Sequence, residues 1–115
     1  MKKPFDIKAF TVATLRRASY RLPARQEALK RARIRRGWYK CELCGSEVQK
    51  KNMALDHIIP IVPVTGWDSW DKFIERLFCS VDGFQVICKK PCHSEKTKAE
   101  NKLRRENKKK MIDNT

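Results

Sequence analysis

The chain has 115 residues, of which 41% are hydrophobic and 35% are charged. These values exclude a disordered chain and leave room for one small domain, whose modest apolar core would need a further stabilising element such as a metal ion. The net charge of +14 predicts a polyanionic partner such as nucleic acid.

The positive charge lies mainly in the two flanks. Residues 1–40 have a net charge of +11, residues 41–92 of −1 and residues 93–115 of +4. We expect the flanks to bind duplex DNA and the near-neutral middle to contain the catalytic site. Alternatively, the charge runs are solvated helix faces or a solubility tail. Eight arginines are candidates for contacts with the DNA backbone: Arg16, Arg17, Arg21, Arg25, Arg31, Arg33, Arg35 and Arg36.

No apolar stretch reaches the roughly 20 residues that span a bilayer. The start of the chain, Met1-Lys2-Lys3-Pro4, lacks the hydrophobic region of a signal peptide. We therefore expect a cytoplasmic protein with no membrane partner. A basic amphipathic membrane helix is an alternative, but it would not account for the five cysteines, whose odd number favours metal ligation over disulfides.

Two basic helices are predicted at the N-terminal side, over residues 5–20 and 24–36. Pro23 suits the start of the second helix, since proline lacks the amide that a first turn cannot pair, and Gly37 suits its end. The segment Cys41-Glu42-Leu43-Cys44-Gly45 follows. Its spacing is typical of a zinc knuckle, in which backbone amides point at the cysteine sulfurs and the glycine takes a positive φ.

The middle of the chain predicts a strand, a helix and a second strand. The first strand covers residues 53–59, the helix residues 68–78 and the second strand residues 84–87. Trp67 and Trp70 could form a base-stacking platform, but we favour a core role because large rings at helical spacing bury much apolar area. A last helix should begin near Cys92 or His93 and continue to Lys110.

Two cysteine pairs, far apart in sequence, offer the four thiolates that a structural Zn²⁺ requires. They are Cys41 with Cys44 and Cys88 with Cys92. The second pair encloses three residues where two are usual, which changes the loop but not its reach. We interpret Cys79 as a buried thiol, with the alternative that it replaces one of the four.

The two strands and the following helix carry three motifs that together resemble the HNH (His-Asn-His) endonuclease family, and in particular its small stand-alone bacteriophage members. The motifs are C-E-L-C-G, A-L-D-H-I-I-P and F-Q-V-I-C-K-K-P-C-H-S-E-K-T, and they cover residues 41 to about 100. The resemblance implies an α+β fold with a small zinc-stapled ββα-metal core, similar to a treble clef, between basic helical extensions. It divides the chain into a DNA-binding arm (1–40), a nuclease core (41–101) and a C-terminal helix and tail (102–115).

The resemblance also implies the roles of the site residues. His57 would be the general base that activates water, while Asp56 and His93 would hold Mg²⁺, Mn²⁺ or another divalent ion against the phosphate. Lys96 and Thr97 could contact a phosphate, or could be solvated helix residues. Packing or capping roles are the alternatives for Asp56 and His57.

The expected function is metal-dependent cleavage of DNA by a monomer or weak dimer. If the protein is encoded by a phage, the resemblance implies that it acts in the host cytoplasm and works with the terminase in genome packaging. The chain departs from the family at Gly83, where an asparagine is expected. Asp82 or a backbone carbonyl could take over its role. A zinc-ribbon protein that binds DNA without cutting it is the alternative function.

Overall fold

The computed structural model describes residues 3–113. Two helices open this part of the chain: α1 covers Ile7–Ser19 and α2 covers Pro23–Ala32. Asp6 caps α1 by accepting a hydrogen bond from the Ala9 N–H at 3.0 Å, which satisfies one of the donors left free in a first turn. Residues 1–2 of the predicted arm and 114–115 of the predicted tail lie outside the described residues.

The second helix ends at Ala32, four residues before the end predicted for it. The chain instead turns into a small antiparallel sheet of order β1-β2-β3, with β1 at Arg33–Arg35, β2 at Trp38–Lys40 and β3 at Glu47–Gln49. Gly37 takes a φ of +80° in the tight turn between the first two strands, a conformation open to glycine at little cost. Backbone pairing with β2 thus outweighs the helical preference of this segment.

The central pair of strands is β4, Met53–His57, and β5, Phe84–Cys88. They run antiparallel, with Met53 opposite Cys88 and His57 opposite Phe84. All five residues of β5 are buried. The strand predicted over 53–59 ends at His57, because β5 starts at Phe84 and the Ile58 N–H instead donates to the Gly83 carbonyl at 2.9 Å.

Helix α3, Trp70–Leu77, closes one side of this strand pair. The Ser69 hydroxyl caps it by accepting from the Lys72 N–H at 3.2 Å. Phe73 and Leu77 are fully buried in the core. Trp67 packs on Phe73 with ring centroids 5.1 Å apart, whereas Trp70 at the helix start is 38% exposed. Trp67 is half-buried, so the two tryptophans pack at the edge of the core and neither is fully buried.

The last helix, α4, covers Ser94–Asp113 and passes through residues 101 and 102 without a break. Arg104 and Asn107 hold it against the loop between β4 and α3 by donating to the carbonyls of Val62 and Val64, each at 3.0 Å. Helices and small sheets thus confirm the predicted α+β class. Within residues 3–113, no helix combines the length and the apolar content that crossing a bilayer would need.

Arg31 on α2 joins the N-terminal helices to the rest of the molecule. Its guanidinium forms a two-pronged ion pair with Glu42 at 2.7 and 2.8 Å and also donates to the carbonyls of Val81 and Phe84. Glu42 in turn accepts from the Val86 N–H at 2.7 Å. These contacts hold the guanidinium within the fold, while the Arg31 side chain stays 37% exposed, so its predicted DNA contact stays a prediction.

We expect Arg31→Met to lower the free energy of unfolding by about 2 kcal/mol, since it removes charge-assisted hydrogen bonds from a partly exposed site. Chemical denaturation measures this loss. Arg33→Met, which changes the neighbouring exposed arginine of β1, is the matched control and should leave stability within about 0.5 kcal/mol of the parent. Equal stability of the two variants would contradict the bridging role of Arg31.

Candidate functional site

The four cysteines of the predicted pairs come together in space. Cys41 follows β2, Cys44 lies in the next turn, Cys88 ends β5 and Cys92 lies just before α4. All four Sγ atoms lie within 4.8 Å of one another, with Cys41–Cys92 at 3.7 Å and Cys44–Cys88 at 3.9 Å. Four sulfurs held tetrahedrally about 2.3 Å from a zinc ion would be about 3.8 Å apart. The cluster could therefore hold a structural metal such as zinc.

The turn around Cys41 has the geometry that its sequence predicts. The Cys44 N–H donates to the Cys41 Sγ at 3.4 Å, and the Gly45 N–H donates to the Cys41 carbonyl at 2.9 Å. Gly45 has a φ of +79°. Burial raises the pKa of the Cys41 thiol, but hydrogen bonds from backbone N–H groups, including that of Cys44, outweigh burial and lower the pKa to about 6. Cys41 is thus poised to be a thiolate, the form that binds metals.

The longer spacing of the second pair does not separate its sulfurs from the cluster. An irregular turn over Lys89–His93 accommodates the additional residue, with Lys90 in an extended conformation (φ −133°, ψ 129°). Among the described residues, Cys79 lies outside the four-cysteine cluster. It packs against Gly83, and burial raises the pKa of its thiol, as expected for a cysteine outside a metal site.

Asp56, near the end of β4, faces the start of α4. Its Oδ2 atom accepts hydrogen bonds from Gln85 Nε2 at 3.0 Å and from the Lys96 ammonium at 3.1 Å. Its Oδ1 atom lies 3.9 Å from His93 Nε2. Because metal–ligand distances for these atoms are about 2.1 Å, one divalent ion could touch both Oδ1 and Nε2. The donor set fits the divalent ion that the resemblance implies.

His57 is held in one tautomer by the backbone. Its Nε2 lies 3.1 Å from the Leu77 carbonyl oxygen, which can only accept, so the proton is assigned to Nε2 and the neutral ring keeps Nδ1 as an acceptor. Burial lowers the pKa of His57 below its ordinary value of 6.5, against the opposite effect of the Leu77 carbonyl. A neutral imidazole with a free acceptor nitrogen can take a proton from water.

Gly83 has no room for a side chain. A Cβ atom built there would lie 2.6 Å from the Cys79 Sγ and 2.8 Å from the Cys79 Cβ. An asparagine at this position would therefore displace Cys79. Of the two groups that could orient His57 in its place, the structure presents a backbone carbonyl, that of Leu77, while Asp82 is exposed.

Lys96 lies one turn along α4, with its side chain only 21% exposed. Its ammonium contacts Asp56, Glu100 and the His57 carbonyl, the last at 3.2 Å. Lysine has three N–H donors, and these three acceptors match them. The predicted phosphate contact stays a prediction, and the geometry adds a direct partnership with Asp56.

A cleft of about 240 Å³ is lined by Asp56, His57 and Lys96. Arg16 from α1 and Arg104 from α4 add positive charge to it from two directions. The sequence-based prediction missed Glu100 and Arg104. The spacing of Lys96, Glu100 and Arg104 on one helical face was the signal that could have identified them.

The remaining predicted DNA contacts fall into two groups. Arg25 is half-buried between the rings of Tyr20 and Phe84, and Arg35 lies over Trp38 and pairs with Glu47 at 3.3 Å. Arg35 is nevertheless exposed, as are Arg16, Arg17, Arg21, Arg33 and Arg36. The exposed group retains the accessible charge that a phosphate contact needs.

We expect Cys44→Ser to lose zinc and to unfold the domain, because the binding free energy of a structural zinc is folding free energy. Zinc content per chain and the thermal melt measure the effect. Cys79→Ser is the control, and it should keep the zinc of the parent. A Cys44→Ser protein with full zinc content and an unchanged melt would contradict the four-sulfur site.

We expect Gly83→Ala to destabilise the fold by about 1–3 kcal/mol, the usual cost of forcing a methyl group into packed space. Cys79→Gly removes both atoms that the new methyl would meet. The double variant should therefore lose less stability than the two single variants together, a coupling that chemical denaturation detects. Additive losses would show that Cys79 does not fill the space beside Gly83.

Comparisons of the chain with protein-family models, with curated proteins and with solved structures gave no match. The described residues themselves present two neighbouring features. One is a four-cysteine cluster that could hold a structural metal, and the other is a basic cleft with an aspartate, a histidine and a fixed lysine in its wall.

Proposed function

We propose that the protein is a divalent-metal-dependent DNA endonuclease of the HNH type, which hydrolyses phosphodiester bonds in duplex DNA. One observation carries the proposal: Asp56 and His57 open into the same basic cleft, and the free oxygen of Asp56 faces His93. Phosphodiester hydrolysis of this type requires a general base, a pair of metal ligands and an adjacent anion-binding site.

His57 serves as the general base in this proposal. Its Nδ1 atom accepts a proton from the attacking water, while the Nε2–H bond to the Leu77 carbonyl fixes the ring. That carbonyl also stabilises the charged ring once the proton has been transferred, because the Nε2–H donor is then more acidic. The asparagine that Gly83 replaces is not needed for this orientation.

Asp56 and His93 would hold the divalent ion through Oδ1 and Nε2. When bound, this ion would supply positive charge to the phosphate oxygens and to the leaving 3′ oxygen. Gln85 restrains the Asp56 carboxylate from the neighbouring strand, so the oxygen that faces His93 keeps its direction. Preorganised groups of this kind lower the cost of reaching the transition state.

The charge of the cleft favours a phosphate. Arg16, Lys96 and Arg104 are cationic, Asp56 and Glu100 are anionic, and a neutral His57 adds no charge. Arg104 is held in place by the Val62 carbonyl, so little freedom is lost when it meets an anion. The exposed arginines of the N-terminal region would extend this contact along the DNA backbone.

The proposed zinc would act as the scaffold of a ββα-metal core formed by β4, β5 and α4. Cys88 ends β5, and Cys92 directly precedes His93. A zinc ion bound to both, and to Cys41 and Cys44, would fix the start of α4 against β5. The spacing between His93 on the α4 side and Asp56 on the strand pair would then depend on the zinc.

A zinc-ribbon protein that binds DNA without cutting it is the second candidate. It is favoured by Gly83, which has no side chain where the family has an asparagine. It gives no role to the Asp56–His93 pair or to the oriented His57. Supercoiled plasmid incubated with Mg²⁺, Mn²⁺ or EDTA separates the two: DNA binding without nicks in any of these conditions would favour the binder.

We expect His57→Ala to reduce plasmid nicking at least about 100-fold, the usual contribution of a general base, while zinc content, folding and DNA binding stay those of the parent. Gel analysis of nicked plasmid and a DNA-binding titration measure the two properties. Ile58→Ala, at the exposed next residue, is the matched control and should nick normally. Undiminished nicking by His57→Ala would rule out the assigned base.

A further inference from the structure

The charge environment of Lys96 suggests more than a structural role. Its ammonium touches the carboxylates of Asp56 and Glu100 and the carbonyl of His57. Both carboxylate side chains are largely covered, at 15% and 19% exposure. An ammonium group with three acceptors around it therefore places positive charge in the cleft wall.

Asp56 does not depend on Lys96 for its orientation. Gln85 Nε2 donates to the same Oδ2 atom at 3.0 Å from the opposite strand. What Lys96 adds to Asp56 is positive charge, at hydrogen-bond distance from a carboxylate that faces a candidate metal position. Two cations that share one carboxylate repel each other, so the ammonium opposes a divalent ion bound through Oδ1.

We propose that Lys96 is the built-in counter-ion of Asp56 and Glu100, which keeps divalent-ion binding weak in the DNA-free protein and supplies positive charge to the phosphate once DNA is bound. This inference rests on the proposed function. With the lysine present, Asp56, Lys96 and Glu100 have a net charge of −1, and without it the net charge is −2. The negative charge of a bound phosphate would offset the repulsion and strengthen ion binding in the complex.

Titration of the zinc-loaded, DNA-free chain with Mn²⁺, followed by electron paramagnetic resonance of the free ion, tests the inference without any cleavage. Lys96→Met should bind Mn²⁺ about tenfold more tightly, the effect of removing one unit charge about 5 Å away with water-like screening. The same variant should nick plasmid at least about tenfold more slowly. Lys98→Met changes an exposed lysine of the same helix, and its Mn²⁺ affinity should equal that of the parent.

Glu100→Gln provides the opposite change and a second route if Lys96→Met does not fold. It removes a negative charge and leaves Asp56 as the one carboxylate paired with the Lys96 ammonium, so Mn²⁺ binding should weaken. Glu106→Gln, at an exposed position of α4, is its control. A purely structural role for Lys96 would not move Mn²⁺ affinity in opposite directions in these two variants.

Three results would contradict the inference, and the third would also contradict the proposed metal ligands. Unchanged or weaker Mn²⁺ binding by a folded Lys96→Met protein would overturn the counter-ion role, as would unchanged binding by Glu100→Gln. In both cases the proposed nuclease site would stand, provided that Asp56→Asn and His93→Ala abolish Mn²⁺ binding. If Asp56→Asn and His93→Ala bind Mn²⁺ as well as the parent does, both the counter-ion role and the proposed metal ligands are overturned.

Discussion

The close approach of four cysteine sulfurs connects three separate parts of the fold. Four thiolates within 4.8 Å of one another repel unless they share a cation. The cluster joins the end of β2, the end of β5 and the turn before α4. His93 directly follows Cys92, so a metal ion bound by the four sulfurs would also fix the distance between His93 and Asp56. Such an ion would couple folding to the proposed chemistry.

The turn between Cys41 and Cys44 also connects the N-terminal helices to the proposed active site. Glu42 lies between the first two cysteines and holds Arg31 of α2 together with the Val86 amide of β5. This contact fixes α2 against the buried strand, so the basic N-terminal region is not a loosely attached arm. Through α1, the same region places Arg16 at the cleft that contains His57. Part of its positive charge thus lies at the proposed active site.

Several elements could be predicted from local sequence because local chemistry determines them. The Cys-x-x-Cys-Gly turn, the proline-started α2 and the two central strands follow from spacing and residue type. The end of α2 at Ala32 could not, because β1 forms only by pairing with β2. Likewise, no local pattern shows that Leu77 orients His57, that Cys79 fills the space beside Gly83, or that the Lys96 ammonium is enclosed by acceptors. The contacts of His57 with Leu77 and of Lys96 with the His57 carbonyl join residues distant in sequence, and the contact of Cys79 with Gly83 depends on how the chain turns between α3 and β5.

In the proposed enzyme, two metal positions have separate roles: the cysteine cluster for zinc and the Asp56–His93 pair for a catalytic divalent ion. The most direct test is ion add-back to zinc-loaded protein, with supercoiled plasmid as substrate and analysis of the cleaved ends. We expect no cleavage with zinc alone, cleavage on addition of Mg²⁺ or Mn²⁺, and ends that carry a 3′-hydroxyl. Intact plasmid under every ion condition, with DNA binding preserved, would contradict a catalytic metal position at Asp56 and His93.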